Sequence, residues 1–332
     1  MPAVAVVMPV LNEENYLEAA ISSILAQDYV GTIQVVLALG PSTDRTNEIA
    51  ARICSGDARV SSVPNPTGRT PEGLIAALAA TTQEIVVRVD AHSELSDGYI
   101  RIAVETLLRT GADNVGGIMG ATGITKFEKA VAAAMTSPLG VGPSSFHNGG
   151  PEGPAETVYL GVFRRSALER VGGYDATLTR VEDWEMNHRI RTTGGVVWFN
   201  PKLFVTYRPR PNAARLARQY FEYGIWRHEV MRRHPETRRT KSALRYFAPP
   251  LAVALVLIGK ILGTIGFVMN NFYDKDSALI WGYIFPLGYL ALTLLSSLTL
   301  AKKAKSGALW VPVALVTMQM SWGIGFLIGR KK

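Results

Sequence analysis

Asp90 and His92 close a run of buried-type residues in the stretch Val87-Arg88-Val89-Asp90-Ala91-His92. In extended chain, side chains at i and i+2 point the same way, so a carboxylate oxygen and an imidazole nitrogen can share one ion. A divalent cation, Mn2+ or Mg2+, suits the pair, and imidazole favours Mn2+; taken alone, Asp90 could equally be a helix cap. Arg69 follows Asn65-Pro66-Thr67-Gly68 at the expected start of a helix. There a guanidinium and unpaired helix amides suit a diphosphate, against the ordinary reading of a solvated loop arginine. Val181-Glu182-Asp183-Trp184-Glu185 precedes a helical run. Either acid could cap that helix, or supply the carboxylate that takes a proton from an attacking hydroxyl.

The elements that must hold these groups follow from hydrophobic patterning. Residues 3–8 form a short continuous apolar run, and 12–26 carry Tyr16, Leu17, Ala20, Ile21, Ile24 and Leu25 at helical spacing. The pattern repeats, with strands expected at 33–39, 60–63 and 85–89 and helices at 44–53 and 70–80. Continuous Val/Ile runs alternating with helices predict an α/β fold with a mainly parallel sheet and helices on both faces. Ligands of such sheets bind beyond the carboxyl ends of the strands, where Asn12, Glu13, Ser42, Thr43, Asp44, Asn65, Arg69, Asp90 and His92 fall. Neither a dinucleotide fingerprint nor a phosphate-binding P-loop is present. Residues 140–153 contain five glycines and read as a surface loop, or as a lid or acceptor loop.

The 332 residues are 48% hydrophobic and 19% charged, but unevenly so. Three apolar runs, at about 251–269, 278–300 and 308–328, are long enough to cross a bilayer as helices. Between Arg208 and Arg245 stand 11 Lys and Arg against three acids, a surplus equal to the net charge of +8. A basic block beside an apolar run fits an anionic membrane surface better than nucleic acid, so no nucleic-acid partner is expected. The expected division is a catalytic domain at 1–207, a basic aromatic juxtamembrane helix at 208–245 and a membrane domain of two or three helices at 246–332. Loop charge puts the block before the first span, and Lys302, Lys303 and Lys305, in the cytoplasm. A third crossing would put Arg330, Lys331 and Lys332 outside, against that tendency. No signal peptide is read before the first strand, and the single Cys54 suits a reducing compartment. The expected location is the cytoplasmic (inner) membrane, multi-pass, with the catalytic domain facing the cytoplasm.

Five blocks now bear on kinship. Val7-Met8-Pro9-Val10-Leu11-Asn12-Glu13-Glu14, Pro41-Ser42-Thr43-Asp44-Arg45-Thr46, Arg88-Val89-Asp90-Ala91-His92, Gly161-Val162-Phe163-Arg164-Arg165 with Gly172-Gly173-Tyr174-Asp175, and Glu182-Asp183 resemble family 2 glycosyltransferases in order and spacing. The Arg-Val-Asp-Ala-His block and Gln219-Tyr220-Phe221-Glu222-Tyr223-Gly224 look most like the membrane-bound succinoglycan-biosynthesis type. The resemblance implies an A-type nucleotide-sugar-binding fold, a divalent metal and inversion at the anomeric carbon. It places Pro9, Asn12, Glu13, Asp44, Arg69 and Asp90 on the nucleotide-sugar, Asp90 and His92 on the metal, and Asp183 as the base. Glu182, Trp184 and Gln219 would meet the acceptor.

Where many members carry Asp-Asp-Gly-Ser, this chain has Leu39-Gly40-Pro41-Ser42, and the acid that usually meets the base or ribose is missing. The expected activity moves a sugar from a nucleotide-sugar, expected to be a UDP-sugar, to a hydroxyl of a lipid-linked or saccharide acceptor. The competing readings are a polyprenyl-phosphate sugar synthase and a non-catalytic membrane scaffold.

Overall fold

Val4, Val6, Met8 and Val10 alternate along one strand with Ala5 and Val7, and all six are buried. A strand buried on both sides needs a layer on each face, and the computed structural model, which describes residues 1–240, 243–273 and 275–330, has both. In chain order the elements are β1 (Val4–Val10), α1 (Leu17–Leu25), β2 (Ile33–Leu39), α2 (Thr46–Gly56), β3 (Val60–Pro64), α3 (Thr70–Ala79), β4 (Ile85–Arg88), β5 (Glu94–Leu95), α4 (Tyr99–Thr110) and β6 (Asn114–Ala121). They continue with α5 (Lys126–Met135), α6 (Pro138–Val141), α7 (Ser145–Asn148), β7 (Gly153–Pro154), β8 (Tyr159–Arg164), α8 (Arg165–Arg170), α9 (Glu182–Thr192) and β9 (Val197–Tyr207). The helices α10 (Ala213–Arg233), α11 (Ala243–Phe272), α12 (Ile284–Ala304) and α13 (Val311–Ile328) follow, with 3-10 turns at Pro235–Arg239, Ala278–Tyr283 and Lys305–Trp310.

The chain forms two units. The first comprises Met1–Ala121 and Ser144–Arg208. Its described strands form one sheet in the order β3-β2-β1-β4-β8-β6-β9-β5, with β7 beside β9. The expected α/β class with parallel pairing holds through β3-β2-β1-β4. Beyond β4 the sheet is mixed: β8 runs antiparallel to both β4 and β6, while β6 and β9 are parallel. One face packs on Leu17, Ile21 and Ile24 of α1 and Ile100, Val104 and Leu107 of α4. The other packs on Leu74 and Ala77 of α3 and Met186 and Ile190 of α9. The periodic run starting at residue 12 becomes helix only at Leu17: Asn12 takes a left-handed φ of 56°, and residues 14–16 form a turn.

The second unit comprises Thr122–Pro143 and the chain from Pro209 onward; Lys331 and Lys332, part of the basic tail weighed above, lie outside the described residues. Two helical stretches there are long and apolar enough to cross a bilayer, Ala243–Phe272 and Ala278–Ile328. Only 22% and 6% of their most apolar windows are buried, which argues against core helices of a soluble protein. Gly259, Gly263 and Gly266 let α11 approach the turn at Ala278–Tyr283; a Cβ at Gly266 would lie 2.1 Å from the Ile280 nitrogen.

Candidate active site

The loops after the first three strands are tied to one another before any ligand is considered. The Asn12 amide donates to Ser42 Oγ (3.1 Å), and Asn12 Oδ1 accepts from the Thr43 amide (2.8 Å). The Glu13 amide donates to Thr46 Oγ1 (2.7 Å). Asp44 accepts from the Thr46 amide (3.0 Å) and hydroxyl (2.5 Å) and from the Glu14 amide (3.3 Å). Desolvation would raise the Asp44 carboxyl, but these bonds outweigh it and hold the group below its ordinary range. Pro9 lies in β1 opposite Ala38. Asn65 is buried and donates to the Arg69 carbonyl (3.1 Å). Gly68 has a φ of 64°, and a Cβ there would come within 3.1 Å of Pro41, so the third loop closes against the second only with glycine. Arg69 stands at the N-cap of α3, pairs with Glu72 and donates to the Ala176 carbonyl (3.2 Å).

The centre of the site is a residue outside the expected set. Arg88 ends β4 with its side chain 5% exposed, and three carboxylates surround it. Nη2 lies 3.0 Å from Asp90 Oδ1 and 3.4 Å from Glu182 Oε1, and Nη1 lies 2.7 Å from Asp183 Oδ2. Strand β4 and the residues just past its end thus deliver Arg88 and Asp90, and the first turn of α9 delivers Glu182 and Asp183. Desolvation opposes the charge on Arg88, yet Asp183, Asp90 and Glu182 hold its pKa well above the ordinary value. Burial, then the neighbouring Asp183, pushes the Glu182 carboxyl up to about 7, with Arg88 pulling the other way. Burial likewise raises Asp183 against Arg88. Asp183 Oδ1 is buried with no hydrogen-bond partner among the described residues. The Tyr174 hydroxyl, also buried and unbonded, faces the same carboxylates, which with burial raise its pKa.

Asp90 Oδ2 accepts from the Tyr159 hydroxyl (3.3 Å), and His92 Nδ1 lies 2.8 Å from Glu13 Oε1. A carboxylate on one ring nitrogen orients an imidazole, as is common for metal-binding histidines. By chemical type a carboxylate and an imidazole two residues apart suit a divalent ion, and here Asp90 is shared with Arg88 and Tyr159. Trp184 is buried and its ring stacks on His188 (5.4 Å, 5° between planes). Gln219 belongs to the second unit, on α10, buried and donating to the Tyr223 hydroxyl (3.0 Å).

The structure thus gathers Asp90, Glu182 and Asp183 on Arg88, joins Glu13 to His92, and knits Asn12 and Asp44 into one loop pair. Arg88, Tyr159 and Tyr174 were missed. The signal for Arg88 was a charge inside a Val/Ile strand, which must find counter-charges to be buried; the two tyrosines carried none.

Residues 5–172 match the family model described as Glycosyl transferase family 2. The chain belongs to that family. It is 32% identical, over 326 residues, to the succinoglycan biosynthesis protein ExoA of Rhizobium meliloti (strain 1021), covering 97% of this chain and 93% of that protein. This family 2 chain is therefore a glycosyltransferase. Its fold resembles that of a mannosyltransferase from Pyrobaculum calidifontis solved in complex with GDP-Man and Mn2+. The TM-score is 0.58 at 19% identity, over 98% of this chain and 86% of that one.

Proposed function

We propose that this family 2 enzyme is an inverting, metal-dependent transferase of polysaccharide synthesis. It moves a sugar from a nucleotide-sugar to a hydroxyl of a lipid-linked or saccharide acceptor at the cytoplasmic face of the membrane. The observation that carries the reading is the asymmetric Asp183 carboxylate: Oδ2 is fixed by Arg88 at 2.7 Å and buried Oδ1 lacks a hydrogen-bond partner. A base must be held still at one oxygen and available at the other. The resemblance to ExoA supports a polysaccharide product, and the apolar helices with their basic flank support membrane lipids as partners.

Asp183 Oδ1 takes the acceptor proton as the hydroxyl oxygen attacks the anomeric carbon from the face opposite the leaving diphosphate. Burial, by raising the Asp183 pKa, makes it a stronger base than a solvated aspartate. Arg88 is a positioning residue: one guanidinium spans Asp90 on the donor side and Asp183 on the acceptor side. Asp90 and His92 would hold Mn2+ or Mg2+, which when bound neutralises charge on the departing nucleoside diphosphate. Asn12, Asp44 and Arg69 shape the pocket for the nucleotide. With Leu39 and Gly40 in place of the usual acids, no carboxylate at those two positions meets the ribose or base. Glu182, with a pKa near 7, can donate a hydrogen bond to the acceptor when protonated.

The test is release of nucleoside diphosphate by protein purified in detergent. It is run against UDP- and GDP-sugars, with Mn2+ or chelator, and with or without membrane lipid extract. Release should need one donor, the metal and the extract. Asp183→Asn should lower kcat by about 10²–10⁴-fold with donor KM little changed. Near-normal turnover in that variant would point to a lipid phosphate acceptor, which needs no base. Absence of both release and donor binding across the panel would point to a scaffold that keeps the fold.

A further inference from the structure

The third apolar run has the length and composition of a membrane span, yet it packs on α5 and on α10, a helix rich in charge, as well as on α11, where a Cβ at Gly323 would lie 2.6 Å from the Pro249 carbonyl. Its start is held by α5: Lys129 Nζ donates to Ser306 Oγ (3.3 Å), and Trp310 meets the Phe127 ring edge-on (5.9 Å). Its middle is held by the segment after α5, where Gln319 Nε2 donates to the Leu139 carbonyl (2.9 Å), and by α12, where Gln319 Oε1 accepts from the Tyr289 hydroxyl (2.9 Å). Its end runs along α10. A Cβ at Gly224 would lie 2.1 Å from the Trp322 carbonyl, and one at Gly325 would lie 2.1 Å from the Phe221 carbonyl. His228 Nδ1 bonds the Phe326 carbonyl (2.9 Å), and Arg330 covers the Trp226 ring (4.9 Å). Helix α10 carries five arginines and two glutamates, which a bilayer interior does not accommodate.

The hairpin that does cross has its charged ends on that same segment after α5. Arg245, at the start of α11, donates to the Pro143 carbonyl (2.6 Å), and Lys303, at the end of α12, donates to the Thr136 carbonyl (2.5 Å). Both thus end at the segment that follows α5. At the opposite end α11 packs on the turn Ala278–Tyr283 through Gly263 and Gly266.

We infer that α13 does not cross the bilayer: it lies in the headgroup layer on the side of α10, and the chain crosses twice, through α11 and α12. The surface it offers fits the lipid interface. Val313, Ile324, Leu327 and Ile328 are 41–55% exposed, and Leu309 is 91% exposed just before the helix. These apolar groups suit the acyl boundary while the arginines of α10 suit anionic headgroups. The run is apolar all round because protein covers the sides that lipid does not. This placement also returns Arg330 to the basic side, removing the conflict that a third crossing creates.

The inference rests on the membrane reading, and one experiment separates the two. In a Cys54→Ser background, single cysteines replace Ser306, Arg330 and Lys275 in the full chain, and a membrane-impermeant maleimide is applied to spheroplasts and to inverted vesicles. Ser306→Cys and Arg330→Cys should label from the same side, and Lys275→Cys from the other. Labelling of Ser306→Cys and Arg330→Cys from opposite sides, with the protein retained after an alkaline wash, overturns the inference alone. Release by that wash overturns the membrane reading with it. Nitroxides at positions 313 and 327 give a second readout: their bilayer depths should agree, whereas a crossing helix would separate them by about 20 Å at 1.5 Å per residue.

Discussion

At the scale of single residues, the site depends on one buried cation facing three carboxylates. Removing Arg88 leaves those carboxylates together without a counter-charge, and breaking a buried ion pair costs about 3–5 kcal/mol. Arg88→Met should therefore lower the melting temperature in detergent, and adding Glu182→Gln should recover part of the loss. Arg88→Lys should keep more stability than activity, because a single ammonium cannot engage Asp90 and Asp183 in the fork that the guanidinium makes at 3.0 and 2.7 Å. Glu13 gives a second test. Its carboxylate orients His92 at 2.8 Å, so Glu13→Gln should weaken Mn2+ binding by about 10–100-fold, read by paramagnetic resonance of free Mn2+ independently of turnover.

At the scale of elements, the second unit is set by packing that composition did not reveal. Glycines on α11 admit the turn at Ala278–Tyr283, and Gly266→Val would drive a side chain into the Ile280 backbone. Overpacking of this kind costs about 1–3 kcal/mol, and a lowered melting temperature in detergent with the first unit's donor affinity unchanged is the expected outcome. On α10, Glu229 accepts from Arg232 and Arg233 (2.8 and 2.7 Å). Bonding to Arg232 foremost, against desolvation, lowers its pKa to about 2. A carboxyl with a folded pKa below its unfolded value contributes stability above the unfolded pKa and loses it as pH falls through the folded one. Glu229→Gln should thus be destabilised at pH 7, with the difference from the parent shrinking between about pH 4.5 and 2 in a pH series of thermal melts.

At the scale of the whole molecule, the chain divides into two compact units, and a chain of more than one unit is not expected to melt as one cooperative body. Ligand should act on the first. A nucleoside diphosphate with Mn2+ at about 100 times Kd stabilises the bound state by about 2.7 kcal/mol. Calorimetry should show that shift in one transition only, and chelator or Asp90→Ala should abolish it. A shift that survives both would remove the metal from the proposed site.

The amino-acid order by itself determined what local periodicity and residue type determine. The strand–helix alternation of residues 4–88, the loops bearing Asn12, Asp44 and Arg69, the Asp90–His92 spacing, the acidic pair 182–183 and the apolar runs were all legible. Each is written within a few turns of chain, where side-chain pattern dictates backbone pattern. Tertiary structure decided the rest. Strand β8 enters antiparallel between β4 and β6 because pairing partners far apart in sequence leave no periodic trace. Arg88 became the hub because α9, 94 residues later, lays Glu182 against it. Glu13 found His92 across 79 residues, giving a residue read as a nucleotide contact a partner that its sequence neighbours do not reveal. Trp184 stacks within α9, and Gln219 sits in the other unit, since helical phase and unit membership are fixed by burial and not by neighbours in sequence. The last apolar run shows the same limit: hydropathy records that a helix avoids water, while only its contacts decide whether lipid or protein takes water's place.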